Sequence, residues 1–381
     1  MLSLGASSRS VAARKESAPA SGKKFLFASL LVLAVLAMVS VMHWLGSLSA
    51  PAWRLLMLLF VGQWLLGAVS TMRGKTSLFI DRAHLAANAV RLLFLRLIGR
   101  PEATVVPWQG QPSQLPEPEQ TSLLPGQGQP SQLPEPERTS LLPEPERTSL
   151  LFWIVKLVFI PFMITVATNQ TERLLPMIAS GKIFLGLLPV ALVYSFWLML
   201  MDLLDTAIAT IGYSIESDEL GNRVRSVDTS LLGWVAALLC YPPLNSLPRA
   251  VIPVHASPFF NASGSAWDIP VMIVLASLAT LFTLATLNLN VHFSNLCHRG
   301  LVTSGLYSVV RHPAYATKLL SWAVVIAYIT GANPTVWAAF ACWVGIYATR
   351  AITEERHLSR VDPEYAEYCK RVRYRFIPGL I

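Results

Sequence analysis

Residues 25–44 read FLFASLLVLAVLAMVSVMHW, with no Asp, Glu, Lys or Arg. A helix of that length rises about 30 Å, the thickness of a bilayer's hydrocarbon core. The same texture recurs at 53–69, 150–167, 183–201, 269–289, 317–330 and 335–348, and in a shorter run at 231–241. The last two long runs reach spanning length only with their flanks. The whole chain is 53% hydrophobic and 14% charged, against about 25% charged in a soluble domain. One aqueous core cannot hide that much apolar surface. The expected fold is all-α: a polytopic transmembrane helical bundle of about seven or eight spans, closed by a C-terminal helical hairpin and a cytoplasmic tail. The 231–241 run is short enough to be a tilted span, a re-entrant helix or an interfacial one.

The net charge of +8 does not point to nucleic acid, because the basic residues flank apolar runs, as the positive-inside rule expects. Arg14, Lys15, Lys23 and Lys24 precede the first run, which is long enough to remain as an uncleaved signal anchor with a cytoplasmic N-terminus. Arg73, Lys75 and Arg82 follow the second run. Residues 84–98 carry Arg91 and Arg96 among leucines and read as an interfacial amphipathic helix. Arg350, Arg356, Arg360, Lys370, Arg371, Arg373 and Arg375 place the C-terminus in the cytoplasm. The acidic stretch 202–228 fits this topology poorly, and Asp202 and Asp205 read as the polar end of the span before it. The chain is expected to be an integral, multi-pass membrane protein with both termini in the cytoplasm.

Residues 110–125 read GQPSQLPEPEQTSLLP, 128–143 read GQPSQLPEPERTSLLP, and PEPERTSLL follows. Proline at this density opposes helix and sheet, so 101–149 reads as a semi-rigid polyproline II linker. A docking site for a proline-binding partner is the other reading. The chain then divides into an N-terminal membrane region (1–100), this linker, a middle transmembrane region (150–290) and a C-terminal hairpin with its tail (291–381). Cys240, Cys297, Cys342 and Cys369 form no C-x-x-C pair. His292 and His298 lack metal-ligand spacing, so no metal site is expected. The G-x-G at Gly126 and Gly128 lies in the proline linker and follows no strand.

The residues with chemistry are concentrated after 290. Gly305-Leu-Tyr307 leads to Arg311-His312-Pro313-Ala-Tyr315, then two apolar runs, then Glu354-Glu355. A hairpin crosses twice, so it returns Glu354 and Glu355 to the face where Arg311 and His312 began. The set combines a cation, an imidazole, paired carboxylates and aromatic rings beside lipid. It suits an amino-acid zwitterion carrying a sulfonium: arginine grips a carboxylate, and rings favour the cation. Asp362 can cap a helix that carries Tyr365 and Tyr368 on one face. Read singly, each group has a plainer role: a headgroup anchor for Arg311 and His312, a solvated charged face for the glutamates, an aromatic belt for the tyrosines.

The ordered pattern G-x-Y-x-x-x-R-H-P-x-Y, hydrophobic hairpin, E-E-x-x-L and tyrosine-rich basic tail resembles the isoprenylcysteine carboxyl methyltransferase and phospholipid methyltransferase superfamily, in a bacterial branch. The resemblance covers about 290–381, and Ala316 departs from a glycine frequent in relatives. It implies S-adenosylmethionine as cofactor, with Tyr307, Arg311, His312, Pro313, Tyr315, Glu354 and Glu355 in the cofactor-binding motif and Arg311, His312 and Glu354 closest to the chemistry. The acceptor would be lipophilic or membrane-associated: an isoprenylcysteine-type carboxylate, a lipid headgroup or a thiol. The alternative is a non-catalytic membrane scaffold or carrier on the same helical fold. A transporter would call for internal symmetry and charges within the spans; Lys156 is nearly the only such charge that the runs contain.

Overall fold

The computed structural model describes residues 18–379 apart from 45, 47, 74–76, 99–141, 184, 187–188, 243, 247 and 249–263. Its helices are α1 (Ala18–Trp44), α2 (Ala50–Met72), α3 (Leu78–Leu97), α4 (Glu144–Ala179), α5 (Val190–Ser214), α6 (Leu231–Leu238), α7 (Asp268–Leu289), α8 (Pro313–Thr330), α9 (Pro334–Val361) and α10 (Tyr365–Arg371). A two-residue strand β1 (Ser226–Val227) pairs antiparallel with β2 (Cys297–His298). The fold is all-α, as the runs require, and the chain is an integral membrane protein. Among the described residues six helices are long and apolar enough to cross a bilayer: α1, α2, α4, α5, α7 and α9. The helix α8 packs between α7 and α9, but Lys318 and its polar first turn keep it below that standard. The run at 231–241 yields only the eight-residue α6, too short to span.

Helix starts follow local chemistry. Ser49 caps α2, accepting from the Ala52 amide at 3.4 Å. Helix α4 opens inside the third proline repeat, so 144–149 are its first turns and not linker. Pro145 falls where an amide hydrogen has no partner anyway, and Glu144 and Glu146 complement the helix dipole. The rest of the expected linker, 101–141, lies outside the described residues. Pro189 likewise sets the start of α5, later than the apolar run suggested. The expectation that Asp202 and Asp205 mark a span's end is thereby corrected: both sit in the middle of α5.

Phe60, Phe152, Trp153, Phe159 and Tyr213 are buried where α2, α4 and α5 meet. Leu58, Leu66 and Ile273 face outward and stay more than half exposed, as lipid-facing residues do. On α3, Ala83, Ala86 and Ala89 are buried and admit α1 and α4 closely. Helices α5 and α7 run parallel, joined by a ladder. Trp197 donates to Thr280 at 3.0 Å, Thr283 to the Met201 carbonyl at 3.3 Å, and Thr286 to Asp205 at 2.5 Å. Their C-terminal ends are clamped by buried Arg299, which donates to the carbonyls of Gly212, Ile215 (3.1 Å) and Val291 (3.0 Å). These are carbonyls that helix ends leave without partners.

Candidate functional site

The loop from 290 to 312 carries the chain from α7 to α8 across one face of the bundle, here called the tail face. Gly305 turns it with φ +62°, and an added Cβ would lie 2.3 Å from the Asn288 side-chain oxygen. That oxygen accepts from the Leu306 amide at 2.9 Å, so the turn and α7 are locked together. Tyr307 follows, and its carbonyl accepts from the Tyr368 hydroxyl at 2.8 Å. Pro313 begins α8, which keeps His312 out of the helical region (φ −127°, ψ 61°). The C-terminal segment then lies alongside. The Arg311 amide donates to the Tyr374 carbonyl at 2.9 Å, and the His312 amide to the Arg375 carbonyl at 2.8 Å.

The hairpin brings the expected residues together, but it gives the two glutamates different neighbours. Adjacent helix positions point about 100° apart. Glu355 turns to the tail: it takes His312 Nε2 at 3.2 Å, Arg375 Nε at 2.9 Å and Arg311 Nε at 3.4 Å. Arg311 also donates to Cys369 Sγ at 3.1 Å and to the Arg373 carbonyl at 3.3 Å. Burial disfavours its charge, yet Cys369 and Glu355 outweigh that and raise its pKa. Glu354 turns the other way and accepts from the Tyr315 hydroxyl at 2.8 Å. The Tyr315 ring stacks on His312 with centroids 5.3 Å apart and meets Tyr347 edge-on at 5.6 Å.

Arg350, Asn295 and Tyr241 complete the Glu354 side, with His357 and Ser226 close by. Buried Arg350 places its guanidinium 4.8 Å from the Tyr315 centroid and 5.3 Å from that of Tyr241, and donates to Asn295. The Asn295 side-chain nitrogen is buried without a partner. His357 Nε2 is 3.0 Å from Ser226 Oγ on β1. In the sequence Arg350 stands as a flanking positive charge, at helical spacing from Glu354 on what reads as a solvated charged face. Its spacing of four before Glu354, one helical turn, was the signal available. Asn295 and Tyr241 carry no local signal, since distant chain segments bring them in. Nearby, His298 Nε2 lies 2.9 Å from Asp362. Burial holds the His298 pKa below its ordinary value despite that carboxylate. Asp362 also accepts from the Glu364 amide at 3.0 Å, but α10 begins only at Tyr365 with Glu364 as its N-cap and no side-chain cap bond, so the expected capping by Asp362 is not made.

A cavity of about 40 Å³ lies against Arg350, Glu354, His357 and Asp228. It has room for water, not for a nucleoside, whose pockets are about 300–1,000 Å³. A larger recess of about 590 Å³ opens on the other side of α9, along Glu355, Arg356, Arg360 and Arg375. An amino-acid zwitterion and a ribose fit the Glu354 side chemically: a cation, an unpartnered amide donor, a carboxylate and aromatic faces. Space for them there requires the surrounding segments to part. Among the described residues no three or more of His, Cys, Asp and Glu gather as metal ligands.

Residues 269–363 match the family described as phospholipid methyltransferase. The match covers a quarter of the chain. The matched segment contains α7, α8, α9 and the loop with Asn295, so Arg350 and Asn295, the polar residues beside Tyr315, lie inside it. Over 115 residues the chain is 34% identical to the cobalt-zinc-cadmium resistance protein CzcN of Cupriavidus metallidurans. That stretch is 30% of this chain and 52% of the relative, so the chain spans about half the length of the curated relative it matches. No solved structure matches the chain.

Proposed function

We propose that this chain transfers a methyl group from S-adenosylmethionine to a lipophilic or membrane-associated acceptor. The observation that carries the reading is the convergence of Arg350, Asn295, Glu354 and Tyr315 at one face of a methyltransferase-family hairpin. The cofactor supplies a methyl group already activated on a sulfonium, so the protein's task is mainly alignment, which contributes roughly 7–11 kcal/mol in favourable cases.

In this reading Arg350 and the free Asn295 amide hold the cofactor carboxylate, and Glu354 holds its ammonium or a ribose hydroxyl. The Tyr315 and Tyr241 faces suit the sulfonium. Arg311, His312, Pro313 and Glu355, expected from the sequence to touch the cofactor, serve by fixing the tail and the start of α8. Tyr307, tethered by Tyr368, joins the tail to the loop. The tail face is the cytoplasmic one, and a bacterial inner membrane is the setting. The acceptor enters from lipid, as an isoprenylcysteine-type carboxylate, a lipid headgroup or a thiol.

Calorimetric titration of the detergent-solubilised chain with S-adenosylmethionine and S-adenosylhomocysteine tests this. Saturable binding is expected, at least tenfold weaker in Glu354→Gln, which loses a charge-assisted contact, and in Arg350→Lys, which keeps the charge but loses the planar two-pronged grip. Folded protein that binds neither ligand would leave the scaffold or carrier reading in its place.

A further inference from the structure

Helix α5 reads VALVYSFWLMLMDLLDTAIATIGYS. Its two acids, Asp202 and Asp205, lie three apart and therefore on one face. Asp205 is nine residues before Ser214, about 13 Å along the helix from the tail-face end. Ionised groups at such depth are expensive and mark function or a specific partner. The partners present account for only part of the charge. Asp205 accepts from Thr286 at 2.5 Å, and Asp202 accepts from the Gln170 amide nitrogen at 3.1 Å. Lys318 of α8 acts on both carboxylates electrostatically, but its ammonium is shared with the Phe282, Trp322 and Tyr347 rings, 5.7–5.8 Å from their centroids. Two carboxylates against one ammonium leave a net negative charge.

A second observation is independent of the acids. Gln170 is 8% exposed, and its side-chain oxygen has no partner. Its nitrogen is held at Asp202, so the oxygen on the same carbon stands at the edge of the carboxylate. The cluster thus offers three acceptors, from Asp202, Asp205 and Gln170, and asks for one positive charge with hydrogens to give. A divalent metal wants six or more oxygens, more than the cluster offers. A primary ammonium has three donors. The cluster lies midway along a helix long and apolar enough to span, and both acids keep partial exposure, so a ligand that reaches them needs an apolar part to sit among the lipid-facing residues. We propose that Gln170, Asp202 and Asp205 form a binding site for the primary ammonium group of an amphiphile. This site does not depend on the methyl-transfer reading.

The test is calorimetry on the full chain in neutral detergent, with hexylammonium as probe and hexanol and hexyltrimethylammonium as controls. Saturable hexylammonium binding is expected, about tenfold or more weaker in Asp202→Asn and in Asp205→Asn. The latter keeps an oxygen for Thr286, so its fold is retained, checked by size-exclusion elution. Gln170→Leu should weaken hexylammonium and leave hexyltrimethylammonium unchanged, because only the former can donate to the amide oxygen. Binding that is absent, or equal in wild type and both asparagine variants, overturns the proposal. So does stabilisation against heat by sodium ions, lost in the asparagine variants, with no response to hexylammonium: that result assigns the site to an inorganic cation.

Discussion

Glu355→Gln should release the tail while Glu354→Gln leaves it in place. The Glu355 carboxylate is 9% exposed and faces His312, Arg311 and Arg375, whose side chains are 7%, 11% and 40% exposed. Breaking a buried pair by removing one partner costs about 3–5 kcal/mol. Arg375 keeps contact with solvent and adds at most about 1 kcal/mol of that, and glutamine retains one acceptor oxygen. A net loss of about 3 kcal/mol in tail attachment remains, roughly a hundredfold in its opening equilibrium. The amides of Arg311 and His312 report it directly, since their acceptors are the tail carbonyls of Tyr374 and Arg375. Hydrogen exchange by mass spectrometry on peptides covering 309–313 should therefore speed up about a hundredfold in Glu355→Gln. Glu354→Gln still accepts from Tyr315 and should change exchange less than threefold, about 0.6 kcal/mol. Unchanged exchange in Glu355→Gln, or equal acceleration in both, would refute the division of labour between the two glutamates.

Gly305→Ala combines a positive φ with a Cβ 2.3 Å from Asn288 and should cost about 2–4 kcal/mol. The melting temperature should fall clearly, whereas Gly345→Ala, in open space on α9, should leave it unchanged or slightly higher. For His298 the folded pKa is depressed by burial, so the unfolded chain binds more protons between that value and the ordinary one of about 6.5. Stability from this group is present above about pH 6.5 and is lost as pH falls through the folded pKa. Chemical denaturation at pH 7.5 and 5.5 should show this drop, and His298→Asn should flatten it.

The apolar runs made most of the helices legible, because lipid demands length and low charge and little else. Residues 25–44, 53–69 and 269–289 all fall within observed helices. The error at α5 has a specific cause: hydropathy ended the run at the first acid, while Pro189 and the α7 ladder determine where the helix lies. Lys318 lies at the start of the 317–330 run, ahead of its apolar residues, where hydropathy alone does not mark it. At the site, the order of motifs revealed which residues converge. It could not separate Glu354 from Glu355, since their functions diverge only when the tail occupies one side of α9. Arg350 looked like a topological charge because its partners Asn295 and Tyr241 come from other parts of the chain.

The pairing of the Arg311 and His312 amides with the tail has a consequence for biogenesis. Helices α8 and α9 lie between these partners in the chain, so the amides emerge from the ribosome before their acceptors do. The loop before α8 must wait, incompletely bonded, until the hairpin has been inserted and the segment beyond α10 has been synthesised. Membrane insertion of α8 and α9 thus comes first in time, and assembly of the face they present is a late step in the maturation of the protein.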